Sequence, residues 1–264
     1  MNHIFITGAC GGLGKVLIEK LSSNQNYFII ATDVIQNYDF RKDNVAYYKL
    51  DVSNFEEWQR LINKIEKQYP IDILINLAGI IIPSYIYDYE KSHIDRQIDI
   101  NCKGIIYGTT LIAKRMKDRK RGQIINVSSL AGVAPIPGIS LYSTSKFALR
   151  GFSLAIAQEL KPYNVYVSVV CPDAIKTPML DLQKDYKEAA LTFSNFRYLT
   201  PEEVSDIIIK KAIKKKKLEI LIPWYRGILA KFSSFSPRII SILLPILQKI
   251  GERNRSSYIY DSKS

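Results

Sequence analysis

Short apolar segments alternate with longer amphipathic segments along residues 1–222, and this alternation limits the fold more than any other feature of the chain. The apolar segments are rich in Ile, Val and Tyr and mostly lack polar alternation, which is typical of strands covered on both faces. A repeated order of strand, helix and strand predicts a parallel sheet with right-handed crossovers. The predicted fold class is α/β: a three-layer αβα sandwich around a doubly wound parallel sheet of about seven strands.

The predicted elements follow one another without a linker rich in Gly or Ser. The predicted strands are 3–7, 27–32, 46–50, 71–76, 122–128, 165–171 and 218–222. The predicted helices are 13–23, 54–68, 92–119, 143–160 and 202–215. We therefore expect one domain over residues 1–222 and a tail over residues 223–264.

A glycine-rich turn, TGACGGLG at 7–14, joins the first predicted strand to the first predicted helix. Glycines let the backbone turn sharply and approach a pyrophosphate, and the N-terminus of the helix offers free N–H groups to it. Glycines alone would also fit an ordinary tight turn, but the strand before and the helix after favour phosphate binding. The residues predicted to bind a dinucleotide here are Gly8, Cys10, Gly11, Gly12, Leu13 and Gly14.

Asp33 stands at the end of the second predicted strand, 19 residues beyond Gly14. An acidic residue at this distance is expected to hydrogen-bond the hydroxyls of the adenosine ribose, and it would repel a 2′-phosphate. Val34 follows it, and neither neighbour of Asp33 in sequence is Arg or Lys. The sequence therefore favours NAD over NADP, with Asp33 and Val34 at the adenosine. A solvated Asp at a strand end is the alternative.

Tyr142 and Lys146 lie four residues apart on a predicted helix, so their side chains share one face. A free phenol has a pKa of about 10 and is a poor base at neutral pH. A neighbouring ammonium favours the phenolate, and such a pair can exchange a proton with an alcohol oxygen while a cofactor exchanges hydride with the carbon. Taken alone, the same spacing is common on half-exposed helix faces.

Seven segments together resemble the short-chain dehydrogenase/reductase family, in its order and spacing, over about residues 1–222. They are TGACGGLG at 7–14, LDVS at 50–53, NLAG at 76–79, DINCKG at 99–104, INVSSLAG at 125–132, YSTSK at 142–146 and PDAIKTP at 172–178. The resemblance implies a Rossmann-type fold and an NAD(P)-dependent enzyme that interconverts a secondary alcohol and a ketone by hydride transfer. It also implies a homodimer or homotetramer.

The same resemblance assigns roles to individual residues. Tyr142 would be the acid/base, and Lys146 would depress its pKa and hold the nicotinamide ribose. Ser129 would hold the substrate oxygen, and Asn101 would hold a water that links Lys146 to solvent. The other cofactor-binding positions that it implies are Asp51 and Val52 at the adenine, Asn76, Ala78 and Gly79 along the cleft, and Pro172, Ile175 and Thr177 at the nicotinamide.

Three features around the sixth predicted strand bear on the substrate. Asp173 stands where the family usually has Gly after Pro172, and its carboxylate could reach the substrate. Residues 174–200 read as a lid with many apolar side chains, which favours an apolar or lipid-like substrate unless these side chains only anchor the lid. KPYNVY at 161–166 resembles reductases of 3-ketodihydrosphingosine, which generally use NADPH.

Alternatives to an NAD-dependent alcohol dehydrogenase or ketone reductase therefore stay open. One is an NADPH-dependent reductase of 3-keto lipids of the 3-ketodihydrosphingosine or 3-oxoacyl type. Another is an NAD-binding regulatory module without catalysis, although such a module would be expected to lack Tyr142 or Lys146. Two His and three Cys without a CxxC pair predict no metal site and indicate a reducing, cytoplasmic setting.

The net charge of +12 is concentrated near the C-terminus. Residues 210–264 contain 13 Lys and Arg against three Asp and Glu, a net charge of +10, and residues 1–209 carry only +2. Basic residues interleaved with aromatic and aliphatic ones predict a basic amphipathic tail on an anionic membrane surface, in short pieces broken by Pro237 and Pro245. Packing on the domain or on a second subunit is the alternative, and nucleic acid is favoured least.

Overall fold

The structure, a computed structural model, describes residues 1–195, 197–235 and 237–261. Phe196, which we counted in the lid, lies outside the described residues, as do the side chains of the tail residues Ile239, Ile240 and Leu243. Within the described chain, strands β1 to β7 form one parallel sheet in the order β3-β2-β1-β4-β5-β6-β7. The strands are Asn2–Thr7, Tyr27–Asp33, Val45–Lys49, Ile71–Asn76, Gly122–Val127, Val165–Pro172 and Glu219–Ile222.

Helices cover both faces of this sheet, so the predicted three-layer α/β fold is confirmed. Helix α1 packs with buried Leu17 on one face, and Trp58 of α2 is fully buried on the other, stacked on Phe5 of β1 at 5.4 Å between ring centroids. The helices α1 to α9 are Gly12–Ser22, Phe55–Ile65, Lys91–Ile98, Gly104–Arg119, Ser140–Leu160, Pro178–Gln183, Pro201–Ile207, Trp224–Phe235 and Pro237–Asp261.

Two predicted helices contain wider turns. A π-helical segment, Asp99–Lys103, separates α3 from α4 where we predicted one helix over 92–119, and a second, Ile208–Lys214, follows α7. Hydrophobic periodicity does not distinguish an α-turn from a π-turn, and π-turns occur frequently at functional sites. The first π-segment contains Asn101.

The tail consists of two long helices, and our prediction that Pro245 breaks it is wrong. Pro237 begins α9, where proline is tolerated, but Pro245 lies inside the helix. Tertiary contacts hold this helix in place: a Cβ on Gly251 would lie 2.1 Å from the carbonyl oxygen of Ala190. Helix α8 is pressed against β7 in the same way, because a Cβ on Gly227 would lie 2.3 Å from Cβ of Leu221.

Candidate active site

A cleft of about 860 Å³ opens at the carboxyl ends of the strands, where ligands bind in sheets of this type. Eighteen of the twenty residues predicted for the site line it, and the two that do not are Asn76 and Asn101. The eighteen are Gly8, Cys10, Gly11, Gly12, Leu13, Gly14, Asp33, Val34, Asp51, Val52, Ala78, Gly79, Ser129, Tyr142, Lys146, Pro172, Ile175 and Thr177.

The glycine turn has a shape that side chains would fill. Gly8 has a φ of +68°, and a Cβ there would lie 2.7 Å from the backbone nitrogen of Ala78. A Cβ on Gly14 would lie 2.3 Å from the carbonyl oxygen of Gly8. Gly11 caps α1 without a side-chain hydrogen bond, so no side chain competes for the first N–H groups of the helix. This cradle fits a pyrophosphate.

Asp33 is held beside the glycine turn by two backbone hydrogen bonds. The N–H of Cys10 donates to Oδ2 at 2.9 Å, and the N–H of Val34 donates to Oδ1 at 2.8 Å. Each carboxylate oxygen can accept more than one hydrogen bond, so ribose hydroxyls fit there as well. Close by, the hydroxyl of Tyr47 donates to the carbonyl of Ile35 at 2.6 Å.

Asn76, which we predicted to contact the cofactor, does not line the cleft. It is fully buried at the end of β4, and its amide donates to Oδ1 of Asn126 at 2.8 Å and to the hydroxyl of Thr109 at 3.2 Å. A buried amide is stabilised by such partners. Thr7 supports the cleft wall instead, because its hydroxyl accepts from the backbone N–H groups of Leu77 and Ala78 at 3.2 Å each.

Tyr142, Lys146 and Ser129 converge from α5 and the end of β5. Nζ of Lys146 lies 5.5 Å from the centroid of the Tyr142 ring and donates to the carbonyl of Val127 at 3.1 Å. Ser129 hydrogen-bonds the phenol of Tyr142. Its hydroxyl also accepts from the N–H of Ala131 at 3.1 Å, which holds it at the start of a single 3₁₀ turn.

Burial controls the ionisation of this pair. It raises the pKa of Tyr142 to about 12, which the hydrogen bond to Ser129 partly offsets, and it lowers the pKa of Lys146 to about 8. We expected Lys146 to depress the pKa of the phenol. Lys146 is not among the causes of the Tyr142 shift, of which the loss of solvation is the largest.

Asn101 lies beneath the cleft in the π-helical segment. Its Oδ1 accepts from the N–H of Ile80 at 2.8 Å, and its Nδ2 donates to the carbonyl of Ile80 at 2.9 Å and to the hydroxyl of Ser145 at 3.0 Å. A Cβ on Gly79 would lie 3.3 Å from Oδ1 of Asn101 and 3.4 Å from Nζ of Lys146. Glycine at position 79 therefore lets the amide and the ammonium approach the same point.

The remaining predicted residues form the two ends of the cleft. Asp51 accepts from the N–H and the hydroxyl of Ser53 at the adenine end, and the carbonyl of Val52 accepts from the Trp58 indole at 3.0 Å. At the other end, Pro172 is the last residue of β6, and Ile175 forms an isolated β-bridge with Leu199. The hydroxyl of Thr177 donates to the carbonyl of Ile175 at 3.2 Å.

Sequence reasoning missed Arg226, a residue of α8 in the tail. Its Nη1 lies 2.9 Å from Oδ2 of Asp173, and both residues line the cleft. The departure at Asp173 was visible in the sequence, but its partner is 53 residues away and no local pattern connects the two. The lid residues divide: Phe193 is fully buried and anchors the lid, whereas Met179, Leu180 and Leu191 line the cleft.

The parallel sheet, its glycine cradle and the acidic residue at the end of β2 define a dinucleotide-binding protein of the Rossmann type. A model of the short chain dehydrogenase family matches residues 2–188. A 3-ketodihydrosphingosine reductase of Bos taurus is 32% identical over 227 residues, which cover 80% of this chain and 68% of that protein. The chain belongs to the short-chain dehydrogenase/reductase family, and it is an NAD(P)-dependent oxidoreductase that acts on CH–OH groups.

Solved structures share the fold. The protein described as "ElxO with NADP Bound" has a TM-score of 0.73 and 24% identity, covering 83% of this chain and 97% of that chain. A "4-hydroxyisoleucine dehydrogenase complexed with NADH" has a TM-score of 0.72 and 24% identity, covering 84% and 96%. These neighbours carry different nicotinamide cofactors, so they leave the preference of this chain undetermined.

Proposed function

We propose that this protein interconverts a secondary alcohol and a ketone on an apolar, lipid-like substrate, with NAD preferred. The observation that carries the proposal is the meeting of Tyr142, Ser129 and Lys146 in one cleft with the glycine cradle. A regulatory module without catalysis is disfavoured, since it would need no such buried, polar set.

The proposed roles follow from the contacts of each side chain. Tyr142 donates its phenolic proton to the substrate oxygen during reduction and accepts it during oxidation, while Ser129 hydrogen-bonds the same oxygen. Lys146 contributes positive charge beside the phenol. Asn101 holds the backbone of Ile80 in place through a hydrogen bond. When bound, the nicotinamide supplies or accepts the hydride. In the reducing direction, a ketone gains one hydride and one proton and becomes an alcohol.

The proposed preference for NAD rests on Asp33. Its carboxylate stands at the end of β2 beside the turn, and a 2′-phosphate there would face negative charge. Glycine at position 11 adds no cation. The alternative, an NADPH-dependent reductase of 3-keto lipids, is favoured by the similarity to 3-ketodihydrosphingosine reductases.

The proposed lipid-like substrate rests on the lining of the cleft beyond the nicotinamide end. Several of the residues there are apolar, namely Ile81, Ile136, Ile139, Met179, Leu180 and Leu191. An apolar lining favours an aliphatic chain over a sugar, since a sugar would leave its hydroxyls without partners.

A substrate panel tests this function. Sugars, short ketones, steroids and long-chain 3-ketones are compared with both NADH and NADPH by absorbance. We expect the greatest turnover with long-chain or steroid ketones and with NADH. Tyr142→Phe should lower kcat by at least about 100-fold, because the proton donor is lost. It should keep the rise in melting temperature that the cofactor produces, which measures binding. Full activity of this variant would exclude the mechanism.

We further propose that the tail docks on an anionic membrane surface. Six large side chains of α8 are exposed: Trp224, Tyr225, Ile228, Leu229, Phe232 and Phe235. Basic residues adjoin them, because Lys211, Lys217 and Lys231 line one hollow with Trp224 and Ile228. Apolar side chains beside cations suit a helix lying in a lipid interface. No helix of the described chain is long and apolar enough to cross a membrane.

The expected cytoplasmic setting and homo-oligomer belong to the same proposal. Cys10, Cys102 and Cys171 are free thiols, as fits a reducing compartment. A dimer or tetramer would form through the helices that carry Asn101 and Tyr142, which sedimentation of the purified protein would test.

A further inference from the structure

One charged pair in the cleft has no part in the proton transfer described above. Asp173 follows Pro172 at the end of β6, and its Oδ1 accepts from the N–H of Ala174 at 2.9 Å and from Nδ2 of Asn195 at 3.2 Å. Its Oδ2 pairs with Nη1 of Arg226 at 2.9 Å. The three residues Asp173, Asn195 and Arg226 all line the cleft.

The backbone that leads into Asp173 lies next to Ser129, which would hold the substrate oxygen. The hydroxyl of Ser129, which would hold the substrate oxygen, donates to the backbone carbonyl of Pro172 at 3.4 Å. Asp173 is the next residue, and its backbone N–H is tied to the carbonyl of Ile222 at 2.8 Å. A substituent on the carbon beside the substrate carbonyl would therefore come close to this carboxylate.

Arg226 has the properties of a partner that a ligand can replace. A carboxylate with little access to water needs a cation beside it, and the side chain of Asp173 is only 16% exposed. The side chain of Arg226 is 34% exposed and belongs to α8, whose outer face is open to solvent. A long, partly hydrated guanidinium can move into solvent at a lower cost than a buried one.

The side-chain amide of Asn195 adds to the site a hydrogen-bond acceptor without a partner in the described chain. Asn195 is buried, and its Oδ1 has no hydrogen-bond partner among the described residues. Its Nδ2 is already used by Asp173. A buried acceptor without a partner is costly, and a donor in the cleft would relieve that cost.

We infer that Asp173 binds a protonated amino group on the carbon next to the substrate carbonyl, and that Arg226 balances the carboxylate until the amine replaces it. The inference rests on the proposed ketone–alcohol function and narrows its substrates to long-chain amino ketones. The amine lies against Asp173, and the aliphatic chain follows the apolar lining of the cleft.

A pair of matched ketones tests the inference: 3-ketodihydrosphingosine and the same hydroxyketone without its amino group. The wild-type enzyme should prefer the amino ketone in kcat/KM. Asp173→Asn keeps the size of the side chain but removes its charge. It should lower kcat/KM for the amino ketone by about tenfold or more, the worth of a charge-assisted hydrogen bond, mainly through KM. Turnover of the deaminated ketone should stay within about twofold.

Two variants separate recognition from folding. Asp181→Asn is the matched control, because Asp181 also accepts a hydrogen bond from the tail, from Tyr258 at 2.6 Å, but does not line the cleft. It should leave the preference unchanged. Arg226→Gln frees the carboxylate and should keep or increase the preference for the amino ketone.

Three results would contradict these proposals in distinct ways. Equal losses on both ketones in Asp173→Asn would overturn the inference, because they would indicate a structural ion pair. A wild-type enzyme that reduces ketones of the panel without preferring the amine would also overturn it, and the proposed function would stand. An enzyme that reduces no ketone would overturn the proposed function itself.

Discussion

At the residue scale, the cost of burial governs the candidate site. Lys146 is buried and Tyr142 is half-buried, and the loss of solvation shifts the pKa of each toward its neutral form. A protein tolerates a buried ammonium when carbonyl groups hold it, and here Nζ donates to the carbonyl of Val127. Burying the lysine lowers the stability of the fold. In return, its ammonium lies beside the phenol, where the charge can act on the substrate oxygen.

This burial gives a pH-dependent stability with a defined sign. Below a pH of about 8 the lysine is protonated in both the folded and the unfolded chain, so the cost of burying its charge is present in full. Above it, the folded chain releases the proton while the unfolded chain keeps it up to its ordinary pKa of 10.5, so folding becomes more favourable as pH rises.

Lys146→Met should remove that dependence. Between neutral pH and the ordinary pKa of lysine, the free energy of unfolding of the wild type should rise by up to about 3 kcal/mol relative to that of the variant. Urea denaturation of both proteins across this range measures the difference. Parallel pH profiles would show that the lysine is not charged at a desolvated site. The raised pKa of Tyr142 acts in both proteins, so it cancels in the comparison.

At the element scale, α9 holds the lid. Nδ2 of Asn254 donates to the carbonyl of Phe193 at 3.0 Å, and Nη1 of Arg255 donates to that of Lys184 at 2.9 Å. The ring of Tyr258 packs 5.5 Å from that of Phe193. Closest of all is the contact of Gly251 with Ala190, where only glycine leaves room. The second tail helix thus holds the lid in place.

Gly251→Ala should loosen this contact. A methyl group would lie 2.1 Å from the carbonyl oxygen of Ala190, so the helix must shift, at a cost of about 1–3 kcal/mol. Limited proteolysis should then cut α9 and the lid sooner than in the wild type.

Gly151→Ala is the matched control, because Gly151 is also helical but a Cβ there would meet nothing within 4 Å. It should leave proteolysis unchanged and raise stability by up to about 1 kcal/mol. Equal sensitivity of both variants would contradict a specific contact between α9 and the lid.

At the scale of the whole molecule, α8 joins the proposed membrane surface to the cleft. One side of this helix carries exposed aromatic and aliphatic residues, and another places Arg226 among the residues that line the cleft. In the proposed function, one helix thus carries both the surface that meets the membrane and a residue of the substrate cleft. The concentration of positive charge after residue 210 acts in the same region.

Leu229→Glu combined with Phe232→Glu should abolish binding to vesicles that contain phosphatidylserine. The two side chains are 66% and 70% exposed, so the change adds charge without opening a core. Ile86→Glu with Tyr87→Glu is the control, because these residues are 77% and 78% exposed but lie far from the tail in sequence. Vesicle flotation measures both. Unchanged binding of the α8 variant, or equal loss in the control, would exclude α8 as the docking surface.

The sequence alone determined the sheet, the glycine cradle and the order of the motifs, because strand periodicity and turn chemistry are local. It also brought Tyr142 and Lys146 to one helix face, since residues four apart always meet there. Only the tertiary structure decided that Asn76 is buried against Asn126 and does not line the cleft, and that burial is the largest cause of the pKa shift of Tyr142. It likewise brought Arg226 to Asp173 and kept α9 continuous through Pro245. Each of these outcomes depends on solvent exclusion or on contacts between distant segments, which no local pattern encodes.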